Sequence, residues 1–142
     1  MSTAHNSGAP TERSVNRQVA TVFGAIYVLV GILGFFVSKT FAETSDKELL
    51  GIFEVNHLHN IVHLLIGVAL LVASKRTDTA RNANLAIGIT YLALGVLGPF
   101  IEDTSANIVA LNGPDHLLHL ASGAVLTLVA LVTDKGQRVD RT

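Results

Sequence analysis

Asn56-His57-Leu58-His59-Asn60-Ile61-Val62-His63 runs directly into the apolar stretch Leu64-Leu65-Ile66-Gly67-Val68-Ala69-Leu70-Leu71-Val72-Ala73. Three imidazoles and two carboxamides stand at the mouth of a hydrophobic helix, where polar groups lose hydration unless something compensates them. A near copy follows at Asn112-Gly113-Pro114-Asp115-His116-Leu117-Leu118-His119, which leads into Leu120 to Val132. Two further apolar runs precede these, Val19 to Val37 and Ala83 to Ile101. Such runs approach the roughly 20 apolar residues that cross a bilayer. The expected fold is therefore all-α and membrane-embedded, with four transmembrane helices over 19–37, 58–74, 83–101 and 115–133.

Composition agrees. Of 142 residues, 49% are hydrophobic and only 15% charged, with a mean hydropathy of +0.49, whereas a soluble domain is nearer one-quarter charged. A net charge of −1 lacks the concentrated basic surface that nucleic acid requires. Without cysteine, disulfides, thiolate metal sites and cysteine nucleophiles are excluded. Residues 1–17 are polar and read as a disordered cytoplasmic tail; residues 134–142 read as a charged one. The run from Val19 is longer than a signal-peptide core, so it is expected to be retained. In the first loop, Ser45-Asp46-Lys47-Glu48 has capping-box form and is followed by Leu49-Leu50-Gly51-Ile52-Phe53. That pattern predicts a short interfacial helix over the histidine cluster.

The chain repeats itself. Gly24, Tyr27, Gly31, Leu33, Gly34 and Phe36 match Gly88, Tyr91, Gly95, Leu97, Gly98 and Phe100 at an offset of 64; Asn56, His63, Leu64 and Gly67 match Asn112, His119, Leu120 and Gly123 at an offset of 56. Residues 18–74 and 82–133 are thus read as two tandem helix hairpins of the same orientation, related by a pseudo-two-fold axis along the membrane normal. The glycines let helices approach closely. Arg13, Arg17, Lys75, Arg76, Arg81, Lys135, Arg138 and Arg141 fall on one side, against Lys39 and Lys47 on the other. The positive-inside rule puts both termini in the cytoplasm, with the histidine-rich mouths facing outward.

On a helix, positions three, four and seven apart share a face. Asn56, His59, His63 and Gly67 form one such stripe, and Asn112, Asp115, His119 and Gly123 form another. If equivalent faces of helices two and four meet, His59, His63, Asp115 and His119 surround one point. Three imidazoles and a carboxylate suit Zn, Fe, Mn or Cu. Asn56, Asn60, Asn112 and His116 stand where they would fix imidazole tautomers. The same residues serve equally as hydrogen-bonding glue between helices. His63 and His119 would also suit a bis-histidine haem, or a quinone site, in a redox subunit. Proton relay, pH sensing and a metal-assisted hydrolase with Asp115 or His116 as base complete the range. His57 lies about 240° around the helix from His63 and faces elsewhere.

The paired pattern Asn56…His59-Asn60-Ile61-Val62-His63-Leu64-Leu65-Ile66-Gly67 and Asn112…Asp115-His116-Leu117-Leu118-His119 resembles the four-helix membrane proteins designated domain of unknown function 4383, typical of actinobacteria. The resemblance spans residues 18–133, with His57 where proline is expected. It implies the fold, a bacterial source and with it the bacterial plasma membrane, and no mechanism. The resulting expectation is a small plasma-membrane protein with an accessory or sensing role. Lipid surrounds it, and it works within a membrane-protein complex or as a homo-oligomer.

Overall fold

A computed structural model describes residues 14–42 and 48–135. Four helices make up most of it: α1 (Val15–Val37), α2 (His57–Ala73), α3 (Thr77–Leu97) and α4 (Gly113–Val132). A 3₁₀ turn at Gly98–Phe100 follows α3, where Pro99 ends regular α-helical bonding. Spans Val15–Val37, Thr77–Phe100 and Gly113–Val132 are long and apolar enough to cross a membrane, while α2 is apolar but shorter.

The packing is inverted relative to a soluble bundle. The buried stripe of α1 is Asn16, Ala20, Gly24, Tyr27, Gly31 and Gly34; that of α3 is Ala80, Asn84, Gly88, Tyr91 and Gly95. The large apolar side chains point away from the protein, among them Leu29, Phe36, Leu65, Val72, Ile89, Val96, Leu117 and Leu128. Water would penalise such a surface. Hydrocarbon does not, and there helices associate through small residues and polar contacts instead. The chain is an all-α membrane protein.

α1 lies mainly along α2, and α3 along α4. Glycine closes both seams. A methyl group added at Gly67 would sit 2.8 Å from the Gly24 carbonyl oxygen, and one at Gly123 would sit 2.8 Å from that of Gly88. The backbones touch where no side chain fits.

Two expectations need correction. Helices two and four are not neighbours: α1 and α3 lie between them, making the contacts across the centre, and no Cα atoms of α2 and α4 come within 8 Å. Nor is there a helix over Leu49–Phe53. Glu48–Leu49 (β1) and Phe53–Glu54 (β2) form an antiparallel hairpin with Leu49 opposite Phe53. Its turn holds Leu50 at φ 58° and Gly51 at φ 76°. A five-residue apolar run does not offset helix nucleation, and glycine favours the left-handed turn. The other half of the capping box, Ser45 to Lys47, lies outside the described residues, as do His5 and most of both tails. α1 begins at Val15 and α3 at Thr77, several residues earlier than hydropathy alone suggests, because Ser14 caps α1 by accepting from the Arg17 amide and Asp78 favours the positive end of α3.

Candidate functional site

The polar motifs first do local work. Asn56 caps α2 by accepting from the His59 amide at 2.8 Å, and Asn112 caps α4 by accepting from the Asp115 amide at 3.3 Å. Asp115 completes a capping box, its carboxylate accepting from the Asn112 amide at 3.2 Å. Each cap then reaches across to the other hairpin. Asn56 Nδ2 donates to the Ile108 carbonyl at 2.9 Å, and Asn112 Nδ2 donates to the Ile52 carbonyl at 2.8 Å. Ile52 and Ile108 each precede their own cap by four residues, so the two ties are reciprocal. Asn60 donates to Ser38 Oγ at 3.0 Å, and His116 Nε2 lies 2.9 Å from Glu102 Oε2. His57 reaches the Ser38 carbonyl at 3.2 Å, away from the core as its phase predicts.

Deeper lies a row of rings. His59 and His63 centroids are 4.5 Å apart, His63 and Tyr27 5.4 Å, Tyr27 and Tyr91 5.4 Å, and Tyr91 and His119 4.7 Å. The sequence runs His59–His63–Tyr27–Tyr91–His119, crossing from α2 through α1 and α3 to α4. Tyr27 and Tyr91, the matching tyrosines of the two halves of the sequence, are its centre.

Proton positions follow from the partners. His59 Nδ1 lies 2.8 Å from the Val109 carbonyl oxygen, which only accepts, so Nδ1 carries the proton of neutral His59. Its Nε2 is then a lone pair, 3.2 Å from His63 Nε2, so His63 donates from Nε2 and leaves Nδ1 bare. That Nδ1 has no partner, nor do His119 Nδ1, Tyr91 Oη and Tyr27 Oη; Ser122 and Tyr91 are the polar neighbours of Tyr27. Buried polar atoms without partners are uncommon and call for an explanation.

The expected four-ligand set is not assembled. Among the described residues no three His, Asp or Glu side chains converge as a metal-binding group. Asp115 is turned back on its own cap, and His119 stands edge-on to Tyr91, across the core from the His59–His63 pair. Asn56, Asn112 and His116 hold loop carbonyls or Glu102 rather than imidazoles. The tyrosine pair occupies the space between His63 and His119 that a haem bridging them would need.

The family described as Domain of unknown function (DUF4383) matches residues 17–132. The chain belongs to this family. No curated protein and no solved structure matches it. Within this family member, the polar motif of α2 supplies a cap, a loop tie and two imidazoles of the central row, and that of α4 a cap, a loop tie and one imidazole.

The opposite end of the bundle holds polar residues that hydropathy conceals. Asp134 accepts from Ser14 Oγ at 2.7 Å, the Asn16 amide at 2.9 Å, Asn16 Nδ2 at 2.8 Å and the Val15 amide at 3.3 Å. Partial burial opposes its charge, but these donors outweigh it and hold the carboxyl below its usual range. Fully buried Asn84 donates to Asn16 Oδ1 at 3.1 Å, joining α3 to α1. Ser14 to Arg17 are therefore structure rather than tail. The recurring Ser/Asn-before-helix pattern signalled them; their polarity hid them.

Proposed function

We propose that this small membrane protein has an accessory or sensing role exercised through the His59–His63 pair, in which a transition-metal ion takes the position of the proton shared between the two Nε2 atoms. The carrying observation is the 3.2 Å separation of the two Nε2 atoms. Metal–nitrogen bonds of 2.0–2.1 Å at a tetrahedral angle put two nitrogens about 3.3 Å apart, so the same nitrogen–nitrogen distance serves a proton or, once the rings tilt to aim both lone pairs at it, an ion. His59 is already oriented for this: its Nδ1–H on the Val109 carbonyl aims Nε2 inward. With an ion bound, His63 moves its proton to Nδ1, and Tyr27, packed on that ring, also has an unpaired oxygen. Water or a partner's donor would complete the coordination. The further reading is of two tandem hairpins about a pseudo-two-fold axis between Tyr27 and Tyr91, supported by the matching glycine seams and reciprocal asparagine ties. Basic residues gathered at one end support cytoplasmic termini and an outward-facing pair.

The test is metal stoichiometry. The detergent-purified full chain is incubated with Zn(II), Cu(I) or Mn(II), desalted and analysed by elemental analysis, alongside His63→Ala and His119→Ala. About one ion per chain, lost in His63→Ala, is expected. No retained metal, with His63→Ala changing only stability, would leave hydrogen bonding between helices as the role of the pair. A Soret band in the purified protein would establish the haem reading instead.

A further inference from the structure

At the end away from the histidines, an open groove of about 650 Å³ is lined by Ser14, Arg17, Gln18, Thr21 and Val22 of the α1 start and by Ser74 and Lys75 after α2. Two cations face it. The Arg17 guanidinium is braced across the groove, its Nε donating to the Ser74 carbonyl at 2.8 Å. That bond fixes the plane of the fork and leaves the Nη groups for a ligand. The nearby carboxylate, Asp134, has both oxygens committed to α1 donors. Leading out of the groove along α1, Val22, Ile26, Leu29 and Leu33 are all exposed and recur at helical spacing, forming one apolar track along the outer surface.

We infer that this groove binds the phosphate of an anionic glycerophospholipid, with Arg17 and Lys75 on the headgroup and an acyl chain along the Val22–Leu33 track. A planar guanidinium takes phosphate oxygens two at a time, and an ammonium adds a point charge. Basic pockets between helices at the ends of membrane spans have this chemistry. Thr21 Oγ1 is engaged with the Arg17 carbonyl, so the cations carry the selectivity. The apolar track favours a lipid over a free anion, because inorganic phosphate would make no use of it. This site is independent of the histidine pair.

The full chain in detergent is supplied with phosphatidylglycerol or phosphatidylcholine, and bound lipid is counted by native mass spectrometry. Phosphatidylglycerol should be retained and phosphatidylcholine stripped. Lys75→Gln and Arg17→Gln should each lower retention about fivefold, the usual weight of one basic side chain at an anionic surface. Lys39→Gln, at the other end, should leave it unchanged. Lys75→Gln, which breaks no bond among the described residues, keeps the test sound should Arg17→Gln fold poorly. Equal retention of both lipids, or unchanged retention in Lys75→Gln, overturns the site. Displacement by inorganic phosphate as effective as by phosphatidylglycerol reassigns it to a soluble anion and overturns the lipid.

Discussion

Asn56→Ala and Asn112→Ala should destabilise the protein by nearly equal amounts. Each asparagine caps a helix, and losing such a cap costs about 1 kcal/mol. Each also donates to a carbonyl of the other hairpin, Ile108 or Ile52, at 2.9 or 2.8 Å. Losing that bond and stranding a part-buried acceptor costs about 1–2 kcal/mol more. The expected sum is about 2–3 kcal/mol for each variant. Asn112→Asp keeps the capping oxygen, removes the Nδ2 donor and sets a carboxylate against the Ile52 carbonyl and Asp115, so it should cost at least as much as the cross-tie alone. Unfolding by SDS titration in mixed micelles, followed by far-ultraviolet circular dichroism, measures all three. Limited proteolysis should show residues 48–55 cut faster in Asn112→Ala and 102–111 cut faster in Asn56→Ala. If either alanine variant costs under about 0.5 kcal/mol, or Asn112→Asp behaves as wild type, the reciprocal ties carry no weight and the loops are held by something else.

Gly67→Ala and Gly123→Ala should each cost about 1–3 kcal/mol by overpacking, since the new methyl would meet backbone at 2.7 Å (Val28 N) and 2.8 Å (Gly88 O); Gly113→Ala, with nothing within 4 Å, is the control, and equal stabilities of all three would refute the close seams. Tyr91→Phe removes a buried hydroxyl without a partner, so it should be neutral or stabilising by up to about 1 kcal/mol; a loss beyond that would reveal a bound water or proton at Tyr91. Asp134→Asn tests linkage. A carboxyl held below its usual range contributes stability that is full above the unfolded-state value of about 4 and fades as pH falls through the lower folded-state value. Wild type should therefore exceed Asp134→Asn at neutral pH and converge with it in acid; a pH-independent gap would show that the charge is not what matters. Glu102→Gln removes the charge from a partly exposed contact to His116 while keeping an oxygen that can accept from it, and should cost under about 1 kcal/mol.

The four helices and their order were legible because lipid-facing and buried residues differ so sharply in this chain. Leu, Val, Ile and Phe recur around Gly, Tyr, His and Asn at helical spacing, and that contrast survives errors of a few residues at each end. The ends were less legible. Ser14, Asn16 and Asp134 look like tail by hydropathy, yet each becomes necessary once α1 needs donors and acceptors at its first turn. The hairpin at Glu48–Glu54 was hidden for a different reason. Its Leu49, Leu50, Ile52 and Phe53 fit a helical face as readily as alternating strands, and Gly51 decides between them only through its backbone angle.

The candidate site shows what a repeat does and does not specify. Offsets of 64 and 56 state which residues match in sequence; they do not state which of the matching faces meet at the centre. Placing helices two and four there would join His63 to His119. The fold instead puts α1 and α3 at the centre, where Tyr27 meets Tyr91, and the histidines become the flanks of a row. Residue volume gives the reason. The α1 and α3 stripes hold Gly24, Gly31, Gly88 and Gly95, yet these glycines are spent on α2 and α4, leaving the tyrosine rings to fill the gap between the two hairpins. A Tyr27→Ala, Tyr91→Ala double variant removes that filling. It should lose more stability than either His63→Ala or His119→Ala, at about 3–5 kcal/mol for each aromatic truncated. If it instead unfolds no more easily than the histidine variants, the centre of the bundle is held by the imidazoles rather than by the tyrosine rings.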